Sequence, residues 1–149
     1  ARYSERGTDY VYNMERLLRK FRTAASLVPQ PVLRKAAQPT RFGVIYFGST
    51  SPAMHEALDV LQAEGVHLDA MRLRAFPFPQ SVPDFIAAHE KVFVVEQNRD
   101  AQMHSMLVNE LDIDPARMVR VLHYDGTPIT ARFIAGAIRK NMVWHKEYA

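Results

Sequence analysis

The sequence predicts a three-layer α/β/α sandwich on a five-stranded, mostly parallel sheet. Two observations lead to this fold class: strand-like apolar segments alternate with helical patterns, and the run at 92–95 is apolar without interruption. Such a run is typical of a strand buried on both faces, as in parallel sheets, and the alternation supplies the crossovers that parallel pairing needs. With 149 residues, 48% of them hydrophobic, the chain can bury one core of ordinary size.

An amphipathic helix is predicted over residues 10–28, ahead of the main domain. Its apolar residues recur at helical spacing, and charged residues occupy the other side. The helix ends near Pro29 and Pro31, because proline lacks an N–H donor and disfavours the helical region for the residue before it. We therefore expect a leader and linker helix at 1–30, the main domain at 31–142 and a tail at 143–149.

The main domain begins with a short edge strand and a first strand–helix unit. Three residues separate a strand in PVLRKAA from a strand in RFGVIYFG, which predicts a hairpin. After the second strand, Ser51 is predicted to cap a helix with Pro52 at its first position. Gly65 is predicted to end that helix.

Three more strand–helix units follow. The strand at 66–76 shifts its apolar phase at Ala70 and Met71, which predicts a bulge or an exposed stretch. A short helix, a central strand at 91–97 and another helix come next, then the strand RMVRVLHY and a last helix capped by Thr127. The helix after the central strand is predicted to face inward through Met103, Met106, Leu107 and Leu111.

Composition excludes several classes of protein. The chain has no cysteine, so it forms no disulfide, offers no thiolate nucleophile and cannot hold an iron–sulfur cluster through cysteine. No apolar run is long enough to span a membrane, and the first ten residues lack the apolar core of a secretory signal. We expect a cytoplasmic protein that does not span the membrane.

Positive charge is concentrated at the start of the chain. Residues 1–41 hold nine Lys and Arg against three Asp and Glu, whereas the remainder is mildly acidic. This pattern favours docking on an acidic face, or a solvated face, over nucleic-acid binding, because the cations are not interleaved with aromatic residues that could stack on bases.

Known catalytic motifs are missing, and two turns remain as candidate sites. Gly48, Ser49 and Thr50 open a helix and could hold an anion, although glycine followed by hydroxyl residues also builds ordinary strand–helix turns. Glu96 closes the central strand at the carboxyl edge, where open α/β sheets place ligands or partners. It could act as acid, base or salt-bridge anchor, or as a structural acceptor.

The six histidines do not predict a metal site, since no two lie at metal-ligand spacing. A nucleophilic triad could be assembled from Ser49, His123 and Asp125, but the sequence encodes no nucleophile elbow, so we do not expect one.

Four segments carry a resemblance to a known family. The runs GSTSPAMHEALDVLQAEG, RLRAFPFPQSVPDFI, KVFVVEQNRDAQMHSMLVNEL and DGTPITARFI, in this order, resemble the alpha subunit of 2-oxoacid:ferredoxin oxidoreductases of the 2-oxoglutarate type, in its transketolase C-terminal-like domain. GTDYVYNMERLLRKF resembles the helix that leads into this domain. The resemblance implies that the first, edge strand runs antiparallel to the other four.

The resemblance also implies a function within a complex. The family enzyme converts a 2-oxoacid and coenzyme A to acyl-CoA and CO2 and reduces ferredoxin. The resemblance implies that thiamine diphosphate, Mg and an iron–sulfur cluster are on the beta subunit. This chain has neither the GDG motif of thiamine enzymes nor cysteine. The chain resembles a C-terminal piece of the alpha subunit, expected to contact its upstream domains and the beta subunit and to show no turnover alone.

Residue by residue, Glu96, Asn98 and Gln102 match the family's E-x-N-x-x-G-Q motif, with Ala101 where the motif usually has glycine. Glu96 and Asn98 are expected at a domain or subunit seam, with Gln102 at a helix start. The leader cations expected to contact neighbouring domains are Arg16, Arg19, Lys20 and Arg22. The alternative hypothesis is a free-standing module that binds an anion or nucleotide through the turn at 48–50.

Overall fold

The computed structural model describes residues 3–147, with side chains described through residue 142. One sheet contains the strands β1 (Val32–Arg34), β2 (Phe42–Phe47), β3 (Asp69–Leu73), β4 (Lys91–Glu96) and β5 (Met118–Leu122), in the order β1-β3-β2-β4-β5. The α-helices are α1 (Gly7–Leu27), α2 (Ser51–Ala63), α3 (Ser81–Ala87), α4 (Gln102–Leu111) and α5 (Ala131–Glu147).

The sheet lies between two helical layers, which confirms the predicted fold class. Strands β3, β2, β4 and β5 run parallel, and β1 pairs antiparallel with β3. On one face α2 and α5 cover residues such as Val44 and Phe93, and on the other face α3 and α4 cover residues such as Ile45 and Val94. Alternate residues of the central strands thus enter two separate cores.

The predicted hairpin is wrong, because β1 pairs with β3 and not with β2. Val32 lies opposite Arg72, and Arg34 lies opposite Ala70. The connection at 35–41 passes the start of β3, where Asp69 accepts hydrogen bonds from the Lys35 ammonium at 2.6 Å and from the Ala36 backbone N–H at 2.9 Å. These bonds hold the chain at β3 and place β2 on its far side.

The predicted bulge in the third strand is also wrong. β3 pairs with β2 in unbroken register from Gly43 opposite Asp69 to Phe47 opposite Leu73. Ala70 and Met71 are both buried, because β3 is an interior strand with a helical layer on each face. The shift in apolar phase is therefore explained by burial of both faces of β3.

Two helix caps differ from their predictions. α2 begins at Ser51, and the preceding 3-10 turn (Gly48–Thr50) runs directly into it with no side-chain cap. At the last helix the Thr130 hydroxyl accepts a hydrogen bond from the Phe133 backbone N–H at 3.2 Å, while Thr127 donates to Asp125 in the turn before it. Gly65 does follow the end of α2, with a φ of +79°.

The inward face of α4 was predicted only in part. Leu107 is fully buried, but Met106 is exposed, and His104 is buried in its place. The prediction used the spacing of apolar residues, so it did not identify a buried position occupied by the polar residue His104.

Gly43 lies in close contact with two aromatic rings at the amino edge of the sheet. A Cβ at this position would lie 2.9 Å from the Phe85 ring and 3.2 Å from Cγ of His89. A side chain at residue 43 would force the ring of Phe85 or His89 to shift, so the glycine allows the end of α3 to lie this close to β2.

The division into leader, domain and tail stays a prediction. α1 occupies most of the predicted leader, while α5 continues to Glu147, through much of the predicted tail. Residues 148–149 of that tail lie outside the described residues.

Candidate functional site

Two turns lie side by side at the carboxyl edge of the sheet, one after β2 and one after the neighbouring β4. The first begins at Gly48, whose φ of +57° lies in the left-handed region that favours glycine. The chain then makes the 3-10 turn and enters α2. Ser49 is exposed and Thr50 is buried.

The hydroxyl groups of the first turn already have a partner within the chain. The side-chain amide of Gln97 donates to Oγ of Ser49 at 3.1 Å and to Oγ1 of Thr50 at 3.2 Å. This amide links the two turns. Anion binding at Gly48, Ser49 and Thr50 stays a prediction, and a ligand there would meet hydroxyls engaged by Gln97.

Glu96, at the end of β4, is fully buried and bonded through both carboxylate oxygens. Oε2 accepts hydrogen bonds from the Met103 backbone N–H at 2.7 Å and from the Asn98 amide at 2.8 Å. Oε1 accepts from the His104 backbone N–H at 3.0 Å. The carboxylate thus satisfies two amide groups in the first turn of α4, where the helix dipole also favours a negative charge.

Asn98 and Ala101 shape the loop that carries α4 over Glu96. Oδ1 of Asn98 accepts from the backbone N–H groups of Asp100 at 3.1 Å and Gln102 at 3.2 Å. Ala101 is buried with φ +52° and ψ +49°, so an alanine occupies a left-handed position. The glycine expected at this place by the family motif would have a conformational reason there.

The residues Glu96, Asn98 and Gln102, predicted from the motif, therefore lie together around one helix start. Glu96 and Asn98 do pair, but with each other. Their role at a domain or subunit seam stays a prediction.

The possible triad residues do not join into a catalytic arrangement. Nδ1 of His123 lies 3.5 Å from Oδ1 of Asp125, and the ring stacks on Phe133. Hydrogen bonds from the Thr127 side chain and backbone hold the pKa of Asp125 below its usual value. Oγ of Ser49 is bonded to Gln97.

Metal-binding geometry is absent from the described part of the chain, where His, Asp and Glu form no group of three that could hold an ion. The side chain of His145 lies outside the described residues. None of the described helices is long and apolar enough to cross a membrane.

Comparison with known proteins identifies the relatives of this fold. No family model matches the chain. The alpha subunit of 2-oxoacid:ferredoxin oxidoreductase 2 from Aeropyrum pernix is 29% identical over 126 residues, which cover 82% of this chain. The chain is a homologue of this alpha subunit. The resemblance predicted from the sequence is confirmed.

Two solved structures share the fold of this alpha-subunit homologue. A 2-oxoglutarate:ferredoxin oxidoreductase from Magnetococcus marinus, with 2-oxoglutarate, coenzyme A and succinyl-CoA bound, matches 92% of the chain and 24% of its own with a TM-score of 0.80 at 22% identity. A split-gene transketolase, in an inactive beta4 tetramer, matches 74% of the chain and 40% of its own with a TM-score of 0.58 at 19% identity. The predicted transketolase-like fold is confirmed. The chain spans about a fifth of the Aeropyrum subunit (19%).

The leader cations of this alpha-subunit homologue lie on α1. Arg16, Arg19, Lys20 and Arg22 are all exposed, and Arg19 forms an ion pair of 3.9 Å with Glu15 one turn away. Their contacts with neighbouring domains stay a prediction.

Sequence reasoning missed two polar residues that organise the site. Gln97 follows Glu96 directly and donates a hydrogen bond to the other turn. The backbone N–H of buried His104 donates to the Glu96 carboxylate. Burial lowers the pKa of the His104 ring, and the charge of Arg120 acts in the same direction. The sequence shows that Gln97 is a polar residue next to a strand end, which marks it as a candidate. It does not show its hydrogen-bond partners, because they lie 47 and 48 positions away in the sequence.

Proposed function

We propose that this chain is a structural and interface domain in the alpha subunit of a 2-oxoglutarate, or similar 2-oxoacid, ferredoxin oxidoreductase. The complete enzyme would convert the 2-oxoacid and coenzyme A to acyl-CoA and CO2 with reduction of ferredoxin. The homology to an alpha subunit supports this proposal. The proposed role of the domain is to orient the upstream domains of the alpha subunit against the beta subunit. The proposed compartment is the cytoplasm.

The observation that carries the interface role is the exposed apolar face of α1. The helix has 21 residues and, although all of them are described, none is buried. Tyr10 is 68% exposed, Leu18 59% and Phe21 54%. Helices in proteins are stabilised mainly by packing of an apolar face, so a helix of this composition needs a partner surface.

The spacing of that face fits packing against another helix or a helical groove. Apolar residues recur in alternating steps of four and three, which is a heptad pattern: Tyr10, Met14, Leu17, Phe21, Ala24 and Val28. Ala24 and Val28 are half-buried near the body of the domain, whereas the first four are exposed. The exposed part spans fewer than two heptads, too short for a stable coiled coil of two such helices. A folded partner with a preformed apolar groove fits better.

Charge defines the partner further. Four cations are distributed around α1, and one, Arg19, is paired within the helix. An acidic rim around the apolar groove would complement them and steer association. The upstream domains of the alpha subunit and the beta subunit are the proposed partners.

The cofactors of the complete enzyme do not fit the residues of this chain. It has no cysteine to ligate an iron–sulfur cluster, and the part described by the structure offers no carboxylate or histidine group for Mg. We therefore assign thiamine diphosphate, Mg and the cluster to the partner subunit, and propose no chemical step on the side chains described above. Ferredoxin and coenzyme A are proposed as substrates of the whole complex.

The test is association of the 149-residue chain with a purified beta subunit, measured by calorimetry or analytical ultracentrifugation. We expect binding at micromolar concentration. Phe21→Asp, on the apolar face of α1, should weaken it more than tenfold, because a carboxylate would be buried in an apolar contact. Thr23→Asp, two residues further on and on the opposite side of the helix, is the matched control and should change binding less than threefold.

No association, or equal loss in both variants, would contradict the interface role. The alternative of a free-standing module has its own assay. Tight binding of coenzyme A, a nucleotide or phosphate by the chain alone, abolished by Ser49→Ala, would favour that alternative.

A further inference from the structure

A half-buried arginine lies on the α2 side of the sheet, next to the edge strand β1. Arg72 belongs to β3, where Ala70 packs in the core covered by α2. Alternate residues of a strand share a face, so Arg72 lies on the same side as Ala70. Its neighbours across the sheet are Tyr46 on β2 and Val32 on β1.

The guanidinium of Arg72 has no counter-charge within the described part of the chain. Its Nε atom is buried without a hydrogen-bond acceptor, whereas its two amino groups are not buried. The ion pairs formed by the described residues do not include Arg72. A guanidinium is always charged in proteins, and withdrawing part of a charge from water costs free energy unless an acceptor compensates it. The compensating group therefore has to come from outside this part of the chain.

A carboxylate that reaches this face is already paired with another arginine. Asp59, on α2, accepts a hydrogen bond of 2.6 Å from Nη2 of Arg34, and Arg34 lies opposite Ala70 on β1. Burial raises the pKa of the Tyr46 hydroxyl, and the charges of Arg72 and Arg34 act in the opposite direction. Two cations thus act on one phenol oxygen, and only one of them has an acidic partner.

The shape of this face favours a protein partner over a small molecule. β1 is the edge strand, and Val32 is 49% exposed beside Arg72. The cleft that Arg34 lines on this side of the sheet measures about 10 Å³, which has room for about one water molecule. An exposed apolar side chain next to an arginine without a counter-charge is typical of protein interfaces, where arginine is enriched.

We propose that Arg72 binds a carboxylate side chain of the beta subunit, on a docking surface formed by Val32, Arg34 and Arg72. The carboxylate would accept two parallel hydrogen bonds from the amino groups of Arg72. This inference rests on the proposed function and adds a second contact to the apolar face of α1. Charge complementarity guides the association of separate chains, so we assign the acid to the beta subunit and not to the upstream domains of the same chain.

The stability of the 149-residue chain without a partner is the first test. Arg72→Met keeps the aliphatic part of the side chain and removes the charge together with the unsatisfied Nε. If an external carboxylate compensates this charge, the variant without that partner should unfold at the same urea concentration as the unmodified chain, or at a higher one. A clear decrease of the urea midpoint would mean that the chain itself compensates Arg72, and it would overturn the proposal.

Arg34→Met is the matched variant in this test. It removes the donor to the Asp59 carboxylate and to the backbone carbonyl of His55. We expect its urea midpoint to lie below that of Arg72→Met, because a paired arginine contributes to the stability of the isolated chain. The reverse order of the two midpoints would contradict the assignment of Arg72 to a partner.

Association with a purified beta subunit, measured by calorimetry, is the second test. Arg72→Met should weaken binding more than about tenfold, because the contact loses both of its donors. Arg72→Lys keeps the charge but lacks the planar fork, so it should weaken binding by about threefold or more. Arg120→Met is the control, since it removes the same charge from an exposed position on β5, at the other edge of the sheet. It should change binding less than about threefold.

The outcomes separate this inference from the proposed function. If the unmodified chain does not bind the beta subunit, the proposed function fails and this inference fails with it. If the unmodified chain binds and Arg72→Met behaves like Arg120→Met, this inference alone is overturned. Raising NaCl from about 0.05 M to about 0.5 M should weaken binding of the unmodified chain more than binding of Arg72→Met. Equal salt dependence of the two chains would also overturn the inference.

Discussion

The turns after β2 and β4 perform the same task with different chemistry. Each takes a buried parallel strand into a helix at the same edge of the sheet. After β2 the turn has Gly48 at a positive φ and no side-chain cap on α2. After β4 the turn places an alanine at a positive φ and buries a carboxylate against the first turn of α4. One turn depends on backbone freedom and the other on a buried polar network.

The two turns show two ways in which a loop at the carboxyl edge of a sheet can be organised. In the first turn Ser49 is exposed and Thr50 is buried, and both hydroxyls accept hydrogen bonds from Gln97. The carboxylate of the second turn is withdrawn from solvent and committed to its own chain. A polar residue at the carboxyl edge therefore does not by itself indicate chemistry with a ligand.

The largest expected effect is that of Glu96→Gln. The glutamine would place an NH2 group against N–H donors of α4 or Asn98 and remove a charge that favours the helix start. We expect a loss of about 3 kcal/mol in the free energy of unfolding, measured with urea. The exposed Glu56→Gln in α2 is the control, with a change within about 0.5 kcal/mol. A loss below about 1 kcal/mol at position 96 would show that the buried network contributes little.

Gly48→Ala tests whether the turn after β2 depends on the conformational freedom of glycine. A Cβ at residue 48 meets no atom within 4 Å, so any cost is conformational. We expect a loss of about 1 kcal/mol in thermal or urea unfolding. Gly136→Ala, inside α5 and also without close neighbours, should have the opposite sign and stabilise by up to about 1 kcal/mol. Equal signs for the two variants would contradict this account of the first turn.

Ala101→Gly is the opposite substitution at the second turn, since it replaces an alanine at a positive φ with glycine. Glycine relieves the left-handed backbone but increases the entropy of the unfolded chain, so the net gain should be about 0.5 kcal/mol. Ala53→Gly, within α2, should instead destabilise by about 1 kcal/mol. Destabilisation at both positions would mean that the Ala101 methyl group contributes more through packing than its conformation costs.

Gln97→Ala should have the smallest effect. It breaks the link between the two turns, but Ser49 is exposed and can bond water instead. We expect a loss of about 0.5 kcal/mol and faster hydrogen exchange limited to residues 48–51. Spread of the exchange effect into α4 would show that the two turns are coupled.

The sequence predicted the order and type of the elements well, because the periodicity of each segment is local. The partner of β1 was missed, since pairing with β3 depends on Asp69, more than thirty positions after Lys35. The place of Glu96 at the strand end was predictable, whereas its three donors were not. Two of those donors are backbone groups of a later helix, and backbone groups leave no mark in a sequence.

Gly43 has a consequence for sequence variation in chains of this fold. Its missing side chain is the space that the tip of the Phe85 ring and the ring of His89 fill. We therefore expect positions 43, 85 and 89 to vary together, because a side chain at 43 would require the ring of Phe85 or His89 to shift or to be replaced by a smaller group.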